Sequence, residues 1–529
     1  MPTNEHYDVV IIGSGAGGGT LAWKLVPSGK RILLLERGHY LPRERDNWDT
    51  TAVFLQGKYS TDEEWRDRKG DEFTPEQNYY VGGNTKFYGA ALLRLRPEDF
   101  GEITHHGGIS PAWPLSYQDL EPWYTDAERL YCVHGQAGED PTDGPRSADF
   151  PYPAVKHEPR IQQLHDDLVK LGLHPSHLPV GAMLDQEPDG SATHTSRCIR
   201  CDRLDGFSCL VDAKADSQTV CVDPALAEHP NLELVTDAKV ERLETDAAGR
   251  RVTEVVATMA DGSEARFSGD IVVASCGALN SALLLLRSAN DQHPHGLANR
   301  SDQVGRNYMR HNNMALMALS REPNPTHFQK TLALNDWYLN GDDWDYPLGG
   351  IQMLGKSDGI QLRAMAPRRV KWGAKLTPEA SLETVALHGV DFWLSAEDLP
   401  EPENRLTIDD DGTPRLALDD ENNTEPLKQL RKKFESMLGE LGFDEHTHRR
   451  NVYLHEGMAI SATAHQAGTA RFGNDPESSV LDVNCKAHDL DNLYVLDSSF
   501  FVSIGAVNPT LTIIANTLRV GEHLLERLG

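Results

Sequence analysis

The amino-acid sequence predicts an α/β protein that begins with a Rossmann-like unit and continues into a mostly β region. Residues 7–12 form a short apolar run, the pattern of a buried parallel strand. A glycine cluster, a helix over 20–26 and a second apolar strand over 31–35 follow, which is a βαβ arrangement. Residues 311–395 instead contain alternating apolar and polar segments, which indicates mainly β structure.

The remaining elements follow from the same patterns. Residues 113–131 predict an amphipathic helix with Ser116 as its N-cap. Two strands joined by a glycine turn are predicted over 231–258. The other predicted segments are a strand over 271–274, a helix over 280–288, strands over 313–319 and 384–394, a helix over 424–441 with Thr424 as its N-cap, a strand over 493–496 and a helix over 510–525.

Composition excludes several classes of function. The 529 residues are 39% hydrophobic, and 51 Lys and Arg against 80 Asp and Glu give a net charge of −29. This charge disfavours nucleic acid, anionic membrane surfaces and anionic substrates as partners. No apolar run reaches the roughly 18 residues of a membrane span, no signal-peptide pattern opens the chain, and seven Cys suit a reducing compartment. We therefore expect a cytoplasmic protein with a neutral small-molecule substrate. The sequence leaves the oligomeric state open.

The glycine cluster carries a dinucleotide fingerprint. Gly13, Gly15 and Gly18 follow the first strand and open a helix. Gly13 allows the tight turn, Gly15 allows a pyrophosphate to approach the backbone, and Gly18 allows the helix to pack closely on the strand. Glu36 ends the second strand, where it can accept hydrogen bonds from ribose hydroxyls and would repel the 2′-phosphate of NADP. The motif alone leaves FAD and NAD open.

A second group of residues lies near the C-terminus. The last predicted strand ends at Asp497, and Pro509 is compatible with the first position of the closing helix. A helix N-terminus stabilises negative charge, such as a reduced flavin develops near N1 and O2. His465 lies in a glycine-containing turn rather than on an apolar face, which favours a function, although most of the 22 His residues are expected at structural or surface positions.

Four segments carry a resemblance to a known family. They are 81–85 (Val-Gly-Gly-Asn-Thr), 304–311 (Val-Gly-Arg-Asn-Tyr-Met-Arg-His), 465–469 (His-Gln-Ala-Gly-Thr) and 507–510 (Val-Asn-Pro-Thr). Together with the fingerprint they resemble, in type and order, the blocks of the glucose–methanol–choline (GMC) flavin oxidoreductases. Within that family, residues 82–91, 349–355 and 398–407 are most similar to the bacterial pyranose oxidase and glycoside 3-oxidase branch.

The resemblance implies the GMC fold: a Rossmann-like FAD-binding domain and a substrate domain on a large, mainly antiparallel sheet flanked by helices. It implies oxidation of a secondary hydroxyl, at C3 or C2, of a neutral pyranose sugar or glycoside by hydride transfer to flavin N5, with O2 or another electron acceptor. Neutral His465 would be the base for the hydroxyl proton. Asn508 would orient the hydroxyl or cap the following helix.

The same resemblance implies the residues that bind the cofactor. They are Gly13, Ser14, Gly15, Ala16, Gly18, Glu36, Arg37, Gly82, Gly83, Asn84, Thr85, Val240, Asp497, Pro509 and Thr510. Gln352 and Trp393 are candidates for lining the sugar site, with core or surface roles as the alternative. Fungal pyranose oxidases carry a covalently attached flavin on a histidine where this chain has Phe87, so non-covalent FAD is expected.

Gly13 and Thr510 must reach the same cofactor, which predicts domains interleaved along the chain. We expect an FAD-binding domain of 1–110, 215–312 and 460–529, and a substrate-binding domain of 111–214 and 313–459.

The basic, aromatic segment 368–372 is interpreted as a solvated loop, or alternatively as an entrance or partner patch. Four cysteines (Cys198, Cys201, Cys209 and Cys221) lack a second metal-ligand pair, so buried thiols or a local redox-labile pair are expected rather than a zinc or iron–sulfur site, with no metal.

Three other functions compete with sugar oxidation. One is a GMC dehydrogenase of another alcohol that uses quinone or a protein electron acceptor. Another is a nicotinamide-dependent dehydrogenase, which the segments at 81–85 and 507–510 disfavour. The last is a GMC-fold lyase or binding protein with a purely structural flavin, against which the retention of both His465 and Asn508 argues.

Overall fold

The computed structural model describes residues 5–341, 343–364, 378–443 and 464–529. The segment 368–372 and the predicted domain boundary between 459 and 460 lie outside the described residues. The helices of the described part are α1 (Ala16–Leu25), α2 (Tyr117–Leu130), α3 (Pro159–Lys170), α4 (Asp223–Glu228), α5 (Ala278–Arg287), α6 (Gly359–Ala364), α7 (Glu379–Leu387), α8 (Glu425–Leu438) and α9 (Thr510–Leu528).

The strands are short in the connecting regions and longer in two main sheets. They are β1 (His6–Ile12), β2 (Ile32–Leu35), β3 (Trp65–Asp67), β4 (Glu72–Phe73), β5 (Ile103–His105), β6 (Gly108–Ser110), β7 (Val133–Gly135), β8 (Tyr152–Pro153), β9 (Ser176–His177), β10 (Val180–Gly181), β11 (Leu232–Val235), β12 (Ala238–Thr245), β13 (Val252–Met259), β14 (Glu264–Ala274), β15 (Met309–Arg310), β16 (Asn312–Leu319), β17 (Leu332–Leu334), β18 (Gly350–Met353), β19 (Gly389–Ala396), β20 (Arg405–Ile408), β21 (Pro414–Ala417), β22 (Gln466–Ala467) and β23 (Leu493–Val495).

The first main sheet confirms the predicted βαβ beginning. Its order is β11-β2-β1-β14-β13-β12, with β23 also paired to β14. Strand β1 runs parallel to β2, with Val9 opposite Ile32, and parallel to β14 on its other side. All four residues of β2 are buried, as expected for a parallel strand covered on both faces. The carboxyl ends of these strands therefore share one edge, where α/β proteins bind ligands.

Helices from distant parts of the chain cover this sheet. Helix α9 packs against α1 and also against α2. Ser116 precedes α2 and accepts a hydrogen bond from the Asp119 N–H (3.3 Å), which confirms the predicted helix and its cap. Helix α2 falls in a segment assigned above to the substrate-binding domain, whereas its packing partner α9 follows the cofactor-binding segment; the domain bounds stay a prediction. None of the helices in the described ranges has the length and apolarity required to cross a bilayer.

The second main sheet is antiparallel, with the order β16-β19-β18-β17-β9. Side chains of β16 alternate between its two faces. Met314 and Leu316 belong to a core shared with Leu164 of α3 and Phe434 of α8. Asn313, one position before Met314, lies on the opposite face and lines a cavity. The sheet thus uses its helix-covered face for the core and its other face for a site.

The predicted strand over 384–394 begins too early, whereas two predicted helix starts are confirmed. Residues 384–387 end helix α7 instead of beginning a strand, and the strand that follows is β19. The four residues 384–387 (Thr-Val-Ala-Leu) are too few to distinguish the period of a strand from that of a helix, and the helix-forming residues from Glu379 onward decide the outcome. Thr424 occupies the N-cap position of α8, as predicted, although its side chain makes no capping hydrogen bond. Helix α9 begins at Thr510, as predicted, and Pro509 precedes its first residue.

Candidate functional site

A cavity of about 830 Å³ joins the carboxyl ends of β1 and β2 to the open face of the antiparallel sheet. It brings together residues that the sequence separates by up to about 500 positions. The predicted site residues that line it are His465, Asn508, Gly13, Ser14, Gly15, Ala16, Glu36, Arg37, Gly83, Asn84, Thr85, Val240, Asp497, Pro509, Thr510, Gln352 and Trp393. Gly18 and Gly82 are not part of the lining, but both contact residues that are.

The glycine-rich turn has a shape that fits a dinucleotide. Gly13 has a φ of +98°, and a Cβ there would lie 2.3 Å from the carbonyl oxygen of Ser275. A Cβ on Gly18 would lie 1.9 Å from the carbonyl oxygen of Gly13, so helix and turn pack at backbone distance. A Cβ on Gly15 would instead meet no atom within 4 Å. The backbone at Gly15 therefore faces open cavity at the N-terminus of α1, where a pyrophosphate can approach it.

Ser14 and Glu36 connect three segments at the nucleotide end of the cavity. The N–H and the hydroxyl of Ser14 donate to one carboxylate oxygen of Glu36, at 3.0 and 2.6 Å. The Gly38 N–H donates to the other oxygen of Glu36 (2.9 Å), and the Gly82 N–H donates to Ser14 Oγ (3.0 Å). Burial raises the pKa of Glu36, while these hydrogen bonds oppose the shift. Arg37 pairs with Glu63 at 2.8 Å.

The segment after β4 closes against the glycine-rich turn. Gly82 has a φ of +97° and precedes a short 3₁₀ helix, Gly83–Lys86. The hydroxyl of Thr85 donates to the carbonyl of Gly82 (2.5 Å), and the side-chain oxygen of Asn84 accepts the Asn78 N–H (3.0 Å). A Cβ on Gly83 would lie 3.2 Å from the Cα of Gly15, so the two predicted cofactor segments touch.

Asp497 lines the cavity with both carboxylate oxygens already bonded. One oxygen accepts from the Gly277 N–H (3.0 Å) and the Ser281 hydroxyl (2.5 Å). The other accepts from the N–H (2.8 Å) and the hydroxyl of Ser499. Asp497 thereby ties the end of β23 to the N-terminus of α5, and burial raises its pKa. Its predicted contact with a ribityl or pyrophosphate group stays a prediction.

His465 lies in the cavity between two polar neighbours. Its Nδ1 is 2.9 Å from Nδ1 of His311, and its Nε2 is 3.4 Å from Nδ2 of Asn508. Burial, together with the nearby His311 and Lys330, holds the pKa of His465 well below its ordinary value. The imidazole is therefore neutral at pH 7, the form that can accept a proton.

Gln352 and Trp393 sit side by side in the antiparallel sheet, because β18 pairs residue 352 with residue 393 of β19. Nε2 of Gln352 donates to Oδ1 of Asn508 (2.8 Å), which turns the Asn508 amide nitrogen towards His465. Oε1 of Gln352 is buried and has no hydrogen-bond partner among the described residues. A bound hydroxyl group could satisfy this oxygen, as buried polar atoms require.

Several residues at or beside the same cavity were not predicted as site residues from the sequence. Oδ1 of Asn313 is buried in the cavity wall without a partner in the described part of the chain. The buried Lys330 ammonium pairs with Asp205, and both line the cavity. His311 was visible only as the last residue of a family segment. No local pattern distinguishes Asn313, Lys330 or Asp205, because their neighbours come from other strands.

The four clustered cysteines lie outside the cavity and are free. Burial raises the pKa of Cys198 to about 11 and that of Cys221 to about 12. Both thiols are therefore protonated and unreactive near neutral pH. Within the described ranges, no group of three or more His, Cys, Asp or Glu side chains is arranged to hold a metal ion.

A glycine-rich turn on a Rossmann-like sheet, joined to a cavity with a neutral histidine, defines a dinucleotide-dependent enzyme. Sequence comparison sharpens this class. Two sequence profiles of the GMC oxidoreductases match, over residues 50–313 and 400–517. The chain is 30% identical to 6'''-hydroxyparomomycin C oxidase of Streptomyces lividus, over 99% of this chain and 92% of the relative. The chain belongs to the GMC oxidoreductase family and is an oxidoreductase.

Other relatives and solved structures agree with the family and the fold. Paromamine 6'-oxidase of Streptomyces fradiae is 29% identical over 97% of this chain and 90% of its own length. Fructose dehydrogenase large subunit of Gluconobacter japonicus is 27% identical, over 98% of both chains. Pyridoxine 4-oxidase from Mesorbium loti superposes with a TM-score of 0.64 at 17% identity, covering 98% of this chain and 99% of its own. The predicted two-domain α/β GMC fold is confirmed, and FAD is the cofactor that this family implies.

Proposed function

We propose that the protein oxidises a secondary hydroxyl, at C3 or C2, of a neutral pyranose sugar or glycoside. The observation that carries this proposal is that His465 and Asn508 line the same cavity as the glycine-rich turn, 3.4 Å apart. Bound FAD would supply at N5 the acceptor for the hydride of the alcohol carbon. Residues of the two predicted cofactor segments, among them Gly15 and Asn84, would hold it.

The side chains have distinct roles in this proposal. Nε2 of His465 takes the hydroxyl proton while the hydride leaves the same alcohol group, so that the product is a ketone. The Asn508 amide donates to the hydroxyl oxygen and orients it. Oε1 of Gln352 accepts from a neighbouring sugar hydroxyl, and Trp393 offers an apolar ring surface to the pyranose.

The relatives support a carbohydrate hydroxyl as the substrate class, since their names include a paromamine oxidase and a fructose dehydrogenase. One of these names specifies a 6' position, so the oxidised carbon must be identified from the product. Incubation with a panel of pyranoses and glycosides, followed by NMR of the product, distinguishes a C3 or C2 ketone from an aldehyde at C6. An aldehyde as the product would contradict the proposed regiochemistry.

The proposed base is tested by anaerobic reduction of the flavin. Addition of a good substrate bleaches the visible flavin absorbance, and His465→Ala should slow this step by about 10²- to 10⁴-fold, the usual contribution of a general base. The purified variant must retain FAD and a cooperative unfolding transition for the comparison. If His465→Ala reduces flavin at the wild-type rate, His465 is not the base.

The electron acceptor is decided by the second half of the turnover. Re-oxidation of the reduced enzyme by O2 would establish an oxidase. Re-oxidation by quinone alone would favour a dehydrogenase, the type of enzyme that the name of the fructose dehydrogenase subunit gives. The second candidate, a GMC dehydrogenase of another alcohol, further requires that no sugar or glycoside reduces the flavin. Stopped-flow mixing with each acceptor separates the two.

We also propose that FAD binds without a covalent bond. Phe87 is buried in an aromatic cluster, with its ring 4.2 Å from that of Tyr59, and has no nucleophilic atom. Precipitation with acid should leave the yellow flavin in the supernatant. A yellow protein pellet would contradict non-covalent binding.

A further inference from the structure

The pairing of two short strands places two histidines opposite each other. Strands β15 and β22 are antiparallel, with Met309 opposite Ala467 and Arg310 opposite Gln466. Continued by one residue, this register puts His311 directly across from His465. Their rings meet edge to face at 4.9 Å between centroids, with the two Nδ1 atoms 2.9 Å apart. His311 is only 2% exposed.

The hydrogen bonds around His311 decide which nitrogens carry protons. Nε2 of His311 lies 3.4 Å from the carbonyl oxygen of Ile504, and a carbonyl can only accept, so this nitrogen is the donor. Burial lowers the pKa of His311 to about 4, so the ring is neutral and holds one proton. Its Nδ1 is consequently an acceptor, and Nδ1 of His465 must donate to it. The single proton of neutral His465 is then on Nδ1, and Nε2 carries a lone pair.

We propose that His311 is a positioning residue that fixes His465 in the Nδ1–H tautomer, so that the lone pair of Nε2 points to the substrate hydroxyl. The inference rests on the proposed role of His465 as the base, and it adds that His311 selects the tautomer in which His465 can act as a base. His311 does not line the cavity and touches neither substrate nor cofactor by this account. After His465 takes a proton, its Nδ1–H still donates to His311, so the contact persists in both protonation states.

The charged groups around the pair are compatible with a neutral His311. Glu397, which directly follows β19, tends to raise the pKa of His311. Its oxygens are, however, bonded to the Ser110 hydroxyl (2.9 Å), the Gly505 N–H (3.1 Å) and His105 (2.9 Å). On the side of His465, the ammonium of Lys330 opposes protonation. Among the residues that the structure describes, no acidic group is bonded to either ring, so hydrogen-bond direction, and not an ion pair, sets the tautomer.

The wild-type protein gives the first test, independent of activity. Selective ¹⁵N labelling of the histidine rings, with assignment by His311→Asn and His465→Ala, should show His465 protonated at Nδ1 only and His311 at Nε2 only at neutral pH. A His465 signal with the proton on Nε2 would overturn the inference, even if the enzyme oxidises sugars as proposed.

Two variants of His311 give the second test. In His311→Asn, the side-chain oxygen can stand where Nδ1 accepts, whereas His311→Phe keeps a ring without an acceptor. We expect His311→Phe to slow anaerobic flavin reduction by about 10-fold and to shift its pH profile, since the Nδ1–H of His465 loses the partner that it has among the described residues. His311→Asn should restore the rate to within about threefold of wild type. Equal rates and pH profiles for all three proteins would contradict the tautomer role.

A buried histidine outside the cavity serves as the control. His134 is 1% exposed and contacts two backbone carbonyls, so His134→Phe carries a comparable cost in stability. It should leave the pH profile and the ¹⁵N signals of His465 unchanged. Failure of the proposed function can be distinguished from failure of this inference. If the proposed function is wrong, the flavin of His465→Ala is reduced at the wild-type rate. If only the inference is wrong, the flavin of His311→Phe is reduced at the wild-type rate while that of His465→Ala is not.

Discussion

Replacement of Ser14 by alanine tests how the glycine-rich turn is held. Ser14 is completely buried, and its hydroxyl donates to Glu36 at 2.6 Å and accepts the Gly82 N–H at 3.0 Å. Ser14→Ala removes a hydrogen bond to a carboxylate and leaves the Gly82 N–H unsatisfied. Together these cost about 3 kcal/mol. Unfolding entropy of about 2.1 cal/mol/K per residue converts this to a Tm lower by about 3 °C for a chain of 529 residues.

Ser288 offers a matched control. It is 2% exposed, and its hydroxyl donates to the Leu284 carbonyl (2.7 Å) and accepts the Leu243 N–H (2.9 Å). Ser288 itself does not line the cavity, although its partner Leu284 does. Ser288→Ala should therefore lose a comparable amount of stability. Only Ser14→Ala should weaken FAD binding as well, by about tenfold, if roughly 1.4 kcal/mol of its cost comes from a displaced turn.

Thermal unfolding and titration of FAD into the flavin-free protein measure the two effects separately. The reasoning is refuted if Ser14→Ala binds FAD with wild-type affinity, because Ser14 would then stabilise the fold without shaping the site. It is also refuted if neither alanine variant lowers Tm.

The remaining predictions concern pH, substrate and glycine. Burial lowers the pKa of His157 to about 3 and of His311 to about 4, so each of these two histidines binds fewer protons in the folded protein than in the unfolded chain below pH 6.5, whereas the buried Asp99 and Asp398, whose pKa values burial raises to about 7 and about 8, act in the opposite direction. The contribution of each such histidine to stability should therefore fall as the pH drops from about 6.5 towards 4, by up to about 1.4 kcal/mol per pH unit; urea unfolding of the wild type and of His157→Phe at several pH values measures it as the difference between the two proteins, and a difference that stays constant over this window would contradict this. Gln352→Leu should raise the KM for sugars about tenfold and lower kcat too, because Asn508 loses its partner; an unchanged KM would remove Gln352 from the sugar site. Gly18→Ala should fold poorly, because its Cβ would lie 1.9 Å from a backbone oxygen, whereas Gly15→Ala should fold normally and lose FAD affinity; equal FAD loading of a folded Gly15→Ala would show that no phosphate approaches this residue.

The elements predicted correctly are those whose signals are local. The β1-α1-β2 unit follows from two apolar runs around three glycines, and α2 from its Ser116 cap. These signals act within one turn of helix or one strand. Where the local signal was ambiguous, as in residues 384–387, the helix prevailed over the predicted strand.

The sequence by itself determined the family, the nucleotide turn and the two residues proposed to act on the substrate hydroxyl, because each belongs to a short segment of fixed spacing. Only the tertiary structure decided what surrounds them. The register of β15 and β22 sets His311 against His465, 154 positions away, and the pairing of β18 with β19 sets Gln352 beside Trp393. Such neighbours depend on which strands pair and in which register, which is fixed by burial of the whole core rather than by any single segment.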